Sequence, residues 1–231
     1  VVEIQSGNIT RVTPNGKKKV LASPGGGRNG AAIGPDGALY VCNNGGMLCD
    51  EQEDGLLFSN GLATPDYTSG RIERIDLKTG KVTCLYEICD GRRISAPNDI
   101  VFDRSGGFWF SDLGKPLTPD NQESGGIFYA APDGSSVQRV VDDLSCVNGI
   151  GLSPDERTLY VALTLERVVL AFAITGKGEV AAGAPRGRVV KTFPEGQMLD
   201  SLAVAADGQV CVATLNVGGI ASVNPATGET V

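Results

Sequence analysis

The sequence predicts an all-β fold, and three observations lead to that expectation. Short runs rich in Val, Ile, Leu and aromatic residues, often alternating with polar residues, recur along all 231 residues. Turn-forming residues bound these runs, since the chain holds 32 glycines and 12 prolines. The runs and turns also repeat with a period of roughly 50 residues. Four strands in a repeat of that length are typical of one blade of a β-propeller.

The first half of each repeat has a constant order. An Asn or Asp is followed by an apolar run, a turn resembling "PDG" and a second apolar run. Four copies begin at Asn29, Asn98, Asn148 and Asp200. The copy at Asn29 predicts strands A to D at 29–33, 38–43, 71–76 and 81–87, and we expect the same set after the other three starts. No segment combines helix caps with a 3.6-residue apolar period.

The four starting residues share a position, and this suggests a function. In an up-and-down blade all A strands begin at the same end of the central channel, so a residue just before each strand points to the axis at one face. We therefore expect a ring of oxygen-bearing side chains there. The alternative is that Asn-Gly pairs form turns, which accounts for Asn29 and Asn148 but not for Asn98 or Asp200. The ring is the favoured interpretation.

Two long B–C connections lie at the same end as the expected ring. They cover 43–69 and 113–124. Long loops inside compact domains are usually functional or disordered. We expect these two to surround the channel mouth and to act as a lid over a substrate.

The composition excludes several classes of function. The chain has no histidine, so a Ser-His-Asp mechanism and histidine-ligated metal sites are excluded. A net charge of −7 argues against nucleic acid or an anionic membrane as partner. No apolar run approaches the roughly 20 residues that span a bilayer.

Six cysteines show neither a CxxC motif nor zinc-finger spacing. Several lie within apolar runs, where a free thiol behaves as a small hydrophobic side chain. We therefore expect them to be reduced and structural, which favours a cytoplasmic protein.

Three segments carry a resemblance to a known family: "APNDIVFDRSGGFWFSDL", "VNGIGLSPDERTLYVALT" and "LDSLAVAADGQVCVAT". They resemble the gluconolactonase–regucalcin (senescence marker protein) family, and the resemblance extends over essentially the whole chain. That family comprises six-bladed propellers with a divalent metal, often calcium, in the central channel, and many members hydrolyse lactones. The resemblance implies one six-bladed propeller domain over 1–231, of which about four to five blades are present.

The resemblance also assigns roles to residues. By position, Asn98, Asn148 and Asp200 match metal ligands, and Asp200 also matches the catalytic acid/base. Ser201, which follows Asp200, is similar to a serine of the bacterial drug-responsive lactonases. Amide and carboxylate oxygens favour Ca²⁺ or Mg²⁺, with Zn²⁺ as a further alternative. Arg28 and Asn29 are candidate substrate-binding residues at the rim of the channel.

The sequence departs from the family pattern at both ends. The family supplies a further glutamate ligand in an "EGP" motif, which this sequence lacks. "VVEIQSGNITRV" is similar to strands B and C of blade one, so we expect that glutamate upstream of Val1 and regard Glu3 as a poor substitute. "NPATGETV" falls within blade five, so we expect a natural protein that is longer at both ends. Asp90 aligns loosely with a second, structural calcium site.

These features favour a metal-dependent hydrolase that opens a small-molecule lactone. One alternative is a calcium-dependent phosphotriesterase-type hydrolase with Asp200 as nucleophile. Another is a propeller that binds a protein partner without catalysis, although a polar cluster in a narrow channel is costly unless ions or water satisfy it. The sequence leaves the identity of the lactone and the oligomeric state open.

Overall fold

A computed structural model describes residues 1–118, 120–182 and 186–230 of the chain. Within those ranges the regular structure is entirely β, with no helix, and five sheets are arranged as the blades of a propeller. The prediction of an all-β propeller is therefore confirmed. The described residues accordingly include no helix long and apolar enough to cross a membrane. All six cysteines are free, as predicted.

The blades follow one another along the chain. Blade one contains β1 (Val2–Glu3), β2 (Asn8–Val12) and β3 (Lys18–Ala22). Blade two contains β4 (Arg28–Ile33), β5 (Leu39–Asn43), β8 (Arg71–Ile75) and β9 (Val82–Tyr86). Blade three contains β12 (Pro97–Phe102), β13 (Phe108–Asp112), β16 (Gly125–Ala130) and β17 (Val137–Leu144). Blade four contains β18 (Val147–Leu152), β19 (Thr158–Leu163), β20 (Val168–Gly176), β21 (Glu179–Val180) and β22 (Arg188–Thr192). Blade five contains β23 (Leu199–Val204), β24 (Val210–Thr214) and β25 (Ile220–Val223).

Strand order within the blades agrees with the repeat. Blades two and three each pair their four strands antiparallel in chain order. Each strand of blade two begins and ends within one residue of its predicted bounds. In blade four, β22 pairs with β20, and β21 extends β20 as a side hairpin.

The apolar runs exist because both faces of a blade are buried against neighbouring blades. On β5, Tyr40 packs in the core between blades two and three, whereas Val41 packs in the core between blades one and two. On β13, Phe108 and Phe110 likewise face blade two while Trp109 faces blade four. Alternate residues of a strand point to opposite faces, so a strand with two buried faces is apolar throughout.

The two long connections contain hairpins that the sequence did not predict. The first holds β6 (Met47–Glu51) and β7 (Leu57–Ala63), and the second holds β14 (Pro116–Thr118) and β15 (Asn121–Gln122). A third hairpin pairs β10 (Ile88–Cys89) with β11 (Arg92–Arg93).

A buried lysine joins the two long connections. Lys115, which follows β13, has no solvent exposure. Its Nζ donates hydrogen bonds to the carbonyl of Asn44, at 3.2 Å, and to that of Gly46. It also lies 5.2 Å from the centre of the Tyr67 ring. Lys115 therefore links the long connection of blade two to the long connection of blade three.

The environment of Lys115 predicts a pH dependence of stability. Burial lowers the pKa of the ammonium from 10.5 to about 8, against the opposing effect of Asp112 and Glu123. At a pH between about 8 and 10.5, Lys115 carries its proton in the unfolded chain but not in the folded chain. The contribution of Lys115 to the free energy of unfolding should therefore rise with pH, by up to about 1.4 kcal/mol per pH unit.

Chemical unfolding at a series of pH values tests this expectation. The free energy of unfolding of the wild type, minus that of Lys115→Met, should increase between about pH 8 and 10.5. Lys81→Met provides the control, because Lys81 is exposed and its ammonium group is solvated by water. A flat difference for Lys115→Met would show that the ammonium stays protonated in the folded protein.

Candidate functional site

The first strands of blades two to five share a bulge at the position that the repeat singled out. In β12, Asn98 and Asp99 lie opposite the single residue Ser111 of β13. The equivalent positions are Asn29 and Gly30 opposite Cys42, Asn148 and Gly149 opposite Ala162, and Asp200 and Ser201 opposite Ala213. A bulge of this kind redirects side chains and is common beside active sites. The shared register of the four polar residues thus has a common backbone cause.

The glycines at these bulges serve close packing between blades. A Cβ atom on Gly30 would lie 2.5 Å from the carbonyl oxygen of Asn98, and one on Gly149 would lie 2.7 Å from the carbonyl carbon of Ser201. Real Cβ atoms do not approach so closely, so only glycine fits between neighbouring first strands. The Asn-Gly pairs are consequently parts of strands, and their interpretation as turns is wrong.

Two asparagine side chains carry buried oxygens without partners. Asn98 and Asn148 are only 3% and 6% exposed. The Oδ1 atom of each is buried and accepts no hydrogen bond from the described residues. The Nδ2 of Asn148 donates to Thr164 Oγ1 at 3.1 Å, which leaves Oδ1 as the free end of that amide. Because an unsatisfied buried acceptor costs about 1–3 kcal/mol, these oxygens suit a bound ligand or cation.

Two carboxylates accompany the amide oxygens. Asp99 Oδ1 accepts a hydrogen bond from the N–H of Ile100 at 2.9 Å, and Oδ2 accepts a long one from Ile150 at 3.4 Å. The pKa of Asp99 is raised to about 6, chiefly because burial disfavours the charged carboxylate, with a smaller contribution from the negative charge of Asp200 and an opposing effect of the backbone hydrogen bonds.

The donor set is made of oxygen atoms from separate blades. Within the described ranges no three Asp, Glu or Cys side chains gather as a metal-binding group. A cation at the bulges would therefore depend on the amide oxygens of Asn98 and Asn148 as well as on a carboxylate. Such oxygens are hard ligands, which Ca²⁺ and Mg²⁺ prefer.

The predicted substrate-binding residues Asn29, Ser201 and Arg28 divide into two groups. Asn29 is half-buried in the bulge of β4, and Ser201 is exposed in the bulge of β23, beside Asp200. Asn29 has the same bulge position as Asn98 and Asn148, and Ser201 has the position of Asp99. Arg28, in contrast, does not lie at a rim.

Arg28 requires a correction, because it is wholly buried. Its Nη2 lies 2.8 Å from Glu73 Oε2, and its Nη1 donates to the carbonyl of Gly7 in blade one. Glu73 also accepts a hydrogen bond from Arg71 Nε at 2.7 Å. The guanidinium group thus joins blades one and two and has no surface for a substrate, so the prediction of a substrate contact at Arg28 is wrong.

Two further acidic residues lie away from the bulges. The Glu3 carboxylate accepts hydrogen bonds from the hydroxyls of Thr10, at 2.6 Å, and Ser6, at 2.7 Å, in blade one. This agrees with the expectation that Glu3 does not replace the missing ligand. Asp90 is exposed at the turn between β10 and β11, and in the described part of the chain no group of acidic side chains surrounds it.

Comparison with known proteins finds relatives that are named as lactonases. A family model described as the SMP-30/gluconolactonase/LRE-like region matches residues 1–231. The lactonase drp35 of Staphylococcus epidermidis is 28% identical over 221 residues, which cover 94% of this chain and 60% of that protein. The lactonase drp35 of Staphylococcus aureus is 29% identical over 222 residues, with the same coverage. The chain thus spans about 60% of the length of these curated relatives.

Solved structures share the fold. A gluconolactonase from Xanthomonas campestris is 26% identical, with a TM-score of 0.74 over 99% of this chain and 68% of that one. A regucalcin from Agrobacterium tumefaciens, a calcium-binding protein, is 18% identical, with a TM-score of 0.71 over 99% of this chain and 66% of its own. At that identity the second likeness concerns the fold alone. Because the family model matches from the first residue to the last, the chain belongs to the SMP-30/gluconolactonase/LRE-like family.

Proposed function

We propose that the protein is a metal-dependent lactonase whose site lies in the central channel, at the bulges of the first strands. The observation that carries this proposal is the pair of buried, unpartnered amide oxygens of Asn98 and Asn148. A propeller used only as a scaffold gains nothing from such oxygens, since burying them without a partner is costly. The lactonases among the relatives support the reaction class.

The proposed ligands are Asn98, Asn148 and Asp200, and the proposed cation is Ca²⁺. Their oxygens are the ligand type that Ca²⁺ takes, and its six to eight coordination positions leave room for further protein, water or substrate oxygens. When bound, a divalent cation polarises an ester carbonyl and stabilises negative charge on its oxygen.

Asp200 is the proposed acid/base. Asp200 is half-buried in the bulge of β23, so its carboxylate is not sealed from a substrate or an attacking water. Water attacks the lactone carbonyl carbon while Asp200 removes its proton. The ring C–O bond then breaks, and Asp200 returns the proton to the departing alkoxide. The product is a hydroxy acid.

The polar bulge residues outside the ligand set suit substrate recognition. Asn29 offers an amide, and Ser201 offers an exposed hydroxyl next to Asp200. Both groups form hydrogen bonds with hydroxyls of a polar lactone such as an aldonolactone. Arg28 is excluded from this role by its burial.

Removal of either amide should weaken cation binding. Asn98→Ala and Asn148→Ala should each reduce the affinity for Ca²⁺ by at least about tenfold, because calcium affinity depends on the number and type of its ligands. Isothermal titration calorimetry measures this loss directly. Asn224→Ala is the matched control, because that amide oxygen accepts hydrogen bonds in the turn after β25. Wild-type affinity in both bulge variants would contradict the proposed ligand set.

A substrate panel separates the proposed activity from its alternatives. We expect Ca²⁺-dependent hydrolysis of γ-lactones, δ-lactones or aldonolactones by the whole protein. Turnover of phosphotriesters without lactones would favour the phosphotriesterase-type mechanism. A protein that binds no cation and hydrolyses neither class would fit a binding propeller.

A further inference from the structure

A single buried hydroxyl connects the bulges of blades three and four. Ser111 of β13 has no solvent exposure. Its Oγ accepts a hydrogen bond from the N–H of Asp99 at 3.0 Å, within its own blade. It also donates a hydrogen bond to the carbonyl oxygen of Asn148, in the next blade. The two bulges that present the buried amide oxygens are therefore tied to one side chain.

The other blades form the same bulge without this hydroxyl. The residues opposite their bulges are Cys42, Ala162 and Ala213. The alanine side chain offers no hydrogen bond, and Cys42 is a buried free thiol, which is a much weaker hydrogen-bonding group than a hydroxyl. The bulge itself thus does not require a hydroxyl opposite it. Among the four bulges the hydroxyl occurs only between Asn98 and Asn148, the two residues with buried, unpartnered amide oxygens, whereas Ala162 occupies the corresponding place between Asn148 and Asp200.

We propose that Ser111 is a positioning residue that sets the distance between Asn98 and Asn148 at the cation site. Its two hydrogen bonds fix the backbone of Asp99, which adjoins Asn98, and the backbone of Asn148 itself. Thr164 holds the amide nitrogen of Asn148 from the other side. Calcium ligands lie about 2.3–2.6 Å from the ion, so a small change in strand spacing removes one oxygen from its range.

This inference rests on the proposed function, because it assigns Ser111 to the same cation site. Loss of a residue that orients metal ligands typically reduces metal affinity about 10- to 100-fold. We expect that loss in Ser111→Ala and in Ser111→Cys. The cysteine variant retains the side-chain volume and copies the residue found at the equivalent position of blade two, so it separates loss of the hydroxyl from loss of packing.

Ser153 provides a matched control. It is buried, its Oγ donates to Asp155 Oδ1 at 2.6 Å, and it accepts a hydrogen bond from the N–H of Thr158 at 3.0 Å. It lies in the turn between β18 and β19, away from the bulges. Ser153→Ala therefore removes two hydrogen bonds, as Ser111→Ala does, without affecting the spacing of the candidate ligands.

The test is calorimetric titration of the whole, metal-free protein with CaCl₂, together with its melting temperature. Ser111→Ala and Ser153→Ala should both melt a few degrees lower than the wild type, but only the Ser111 variants should lose Ca²⁺ affinity. Faster amide hydrogen exchange at Asp99 in the Ser111 variants would support the same conclusion independently of any metal.

The outcomes distinguish this inference from the function on which it rests. Wild-type Ca²⁺ affinity in both Ser111 variants would refute the positioning role while leaving the cation site intact. Equal losses in the Ser111 and Ser153 variants would also refute it, since general destabilisation would then account for the loss. A wild-type protein that binds no Ca²⁺ would overturn the proposed function and this inference together. The cysteine variant carries the test if the alanine variant does not fold.

Discussion

Asp200→Asn should lower lactone turnover by about 10²- to 10⁴-fold and leave the propeller folded. Asparagine keeps the size and shape of the side chain and one ligand oxygen, but its amide does not accept the proton of the attacking water. The side chain lies in a bulge of β23 and is only half-buried, so little structure depends on its charge. The measurement is kcat on a lactone at saturating Ca²⁺.

Asp207→Asn is the control for this variant. Asp207 is an exposed residue in the turn between β23 and β24, where its Oδ1 accepts a hydrogen bond from the N–H of Gln209 at 3.1 Å. Its substitution should not change kcat. If Asp200→Asn retains turnover within about threefold of the wild type at saturating Ca²⁺, another group is the acid/base. A calcium titration of the same variant separates the loss of a ligand from the loss of a base.

Glu73→Gln should destabilise the fold by about 3–5 kcal/mol, because it leaves a buried guanidinium without its counter-charge. Arg28 is fully buried, and the Glu73 side chain is 3% exposed at 2.8 Å from it. Burial already lowers the pKa of Arg28, which shows that the charged form is poorly solvated there. The measurement is the free energy of unfolding in urea at constant pH.

A surface ion pair supplies the matched comparison. Glu166 pairs with Arg186, and their side chains are 40% and 61% exposed. Glu166→Gln should cost less than about 1 kcal/mol, because water screens an exposed pair. The double variant Arg28→Met with Glu73→Met should recover much of the loss, since apolar replacement of a buried pair is often neutral. Similar losses for Glu73→Gln and Glu166→Gln would show that burial does not make the counter-charge of Arg28 important for stability.

Features that depend only on neighbouring residues, such as strands and turns, could be predicted from the sequence. Alternating runs and turn residues placed the four strands of blade two within one residue, because both signals act over a few positions. The common register of Asn98, Asn148 and Asp200 was also visible, since each precedes an apolar run. The bulge that causes this register could not be predicted, because a bulge is defined by how the strand pairs with the next strand.

The features that depend on distant partners were not predictable. Arg28 resembles a polar rim residue in the sequence, but its partner Glu73 lies on the third strand of the same blade. Ser111 resembles any serine within an apolar strand, and its significance comes from the Asn148 carbonyl in another blade. The repeat pattern marks Asn98 and not its neighbour Asp99, whose carboxylate is held by the N–H of Ile150 in the next blade. In each case the information lies in contacts between strands that are distant in the sequence.

The bulges have a consequence for how the sequence of such a propeller can change over time. At each bulge two residues of the first strand share one partner, so they are released from the strict alternation that fixes every other residue of the strand. A substitution at the first of the two residues alters the side chain that the strand presents without shifting the pairing of the sheet. The second residue is less free, because Gly30 and Gly149 have no room for a Cβ atom. The side chains at the first bulge position can therefore change one at a time while the blades around them remain unchanged.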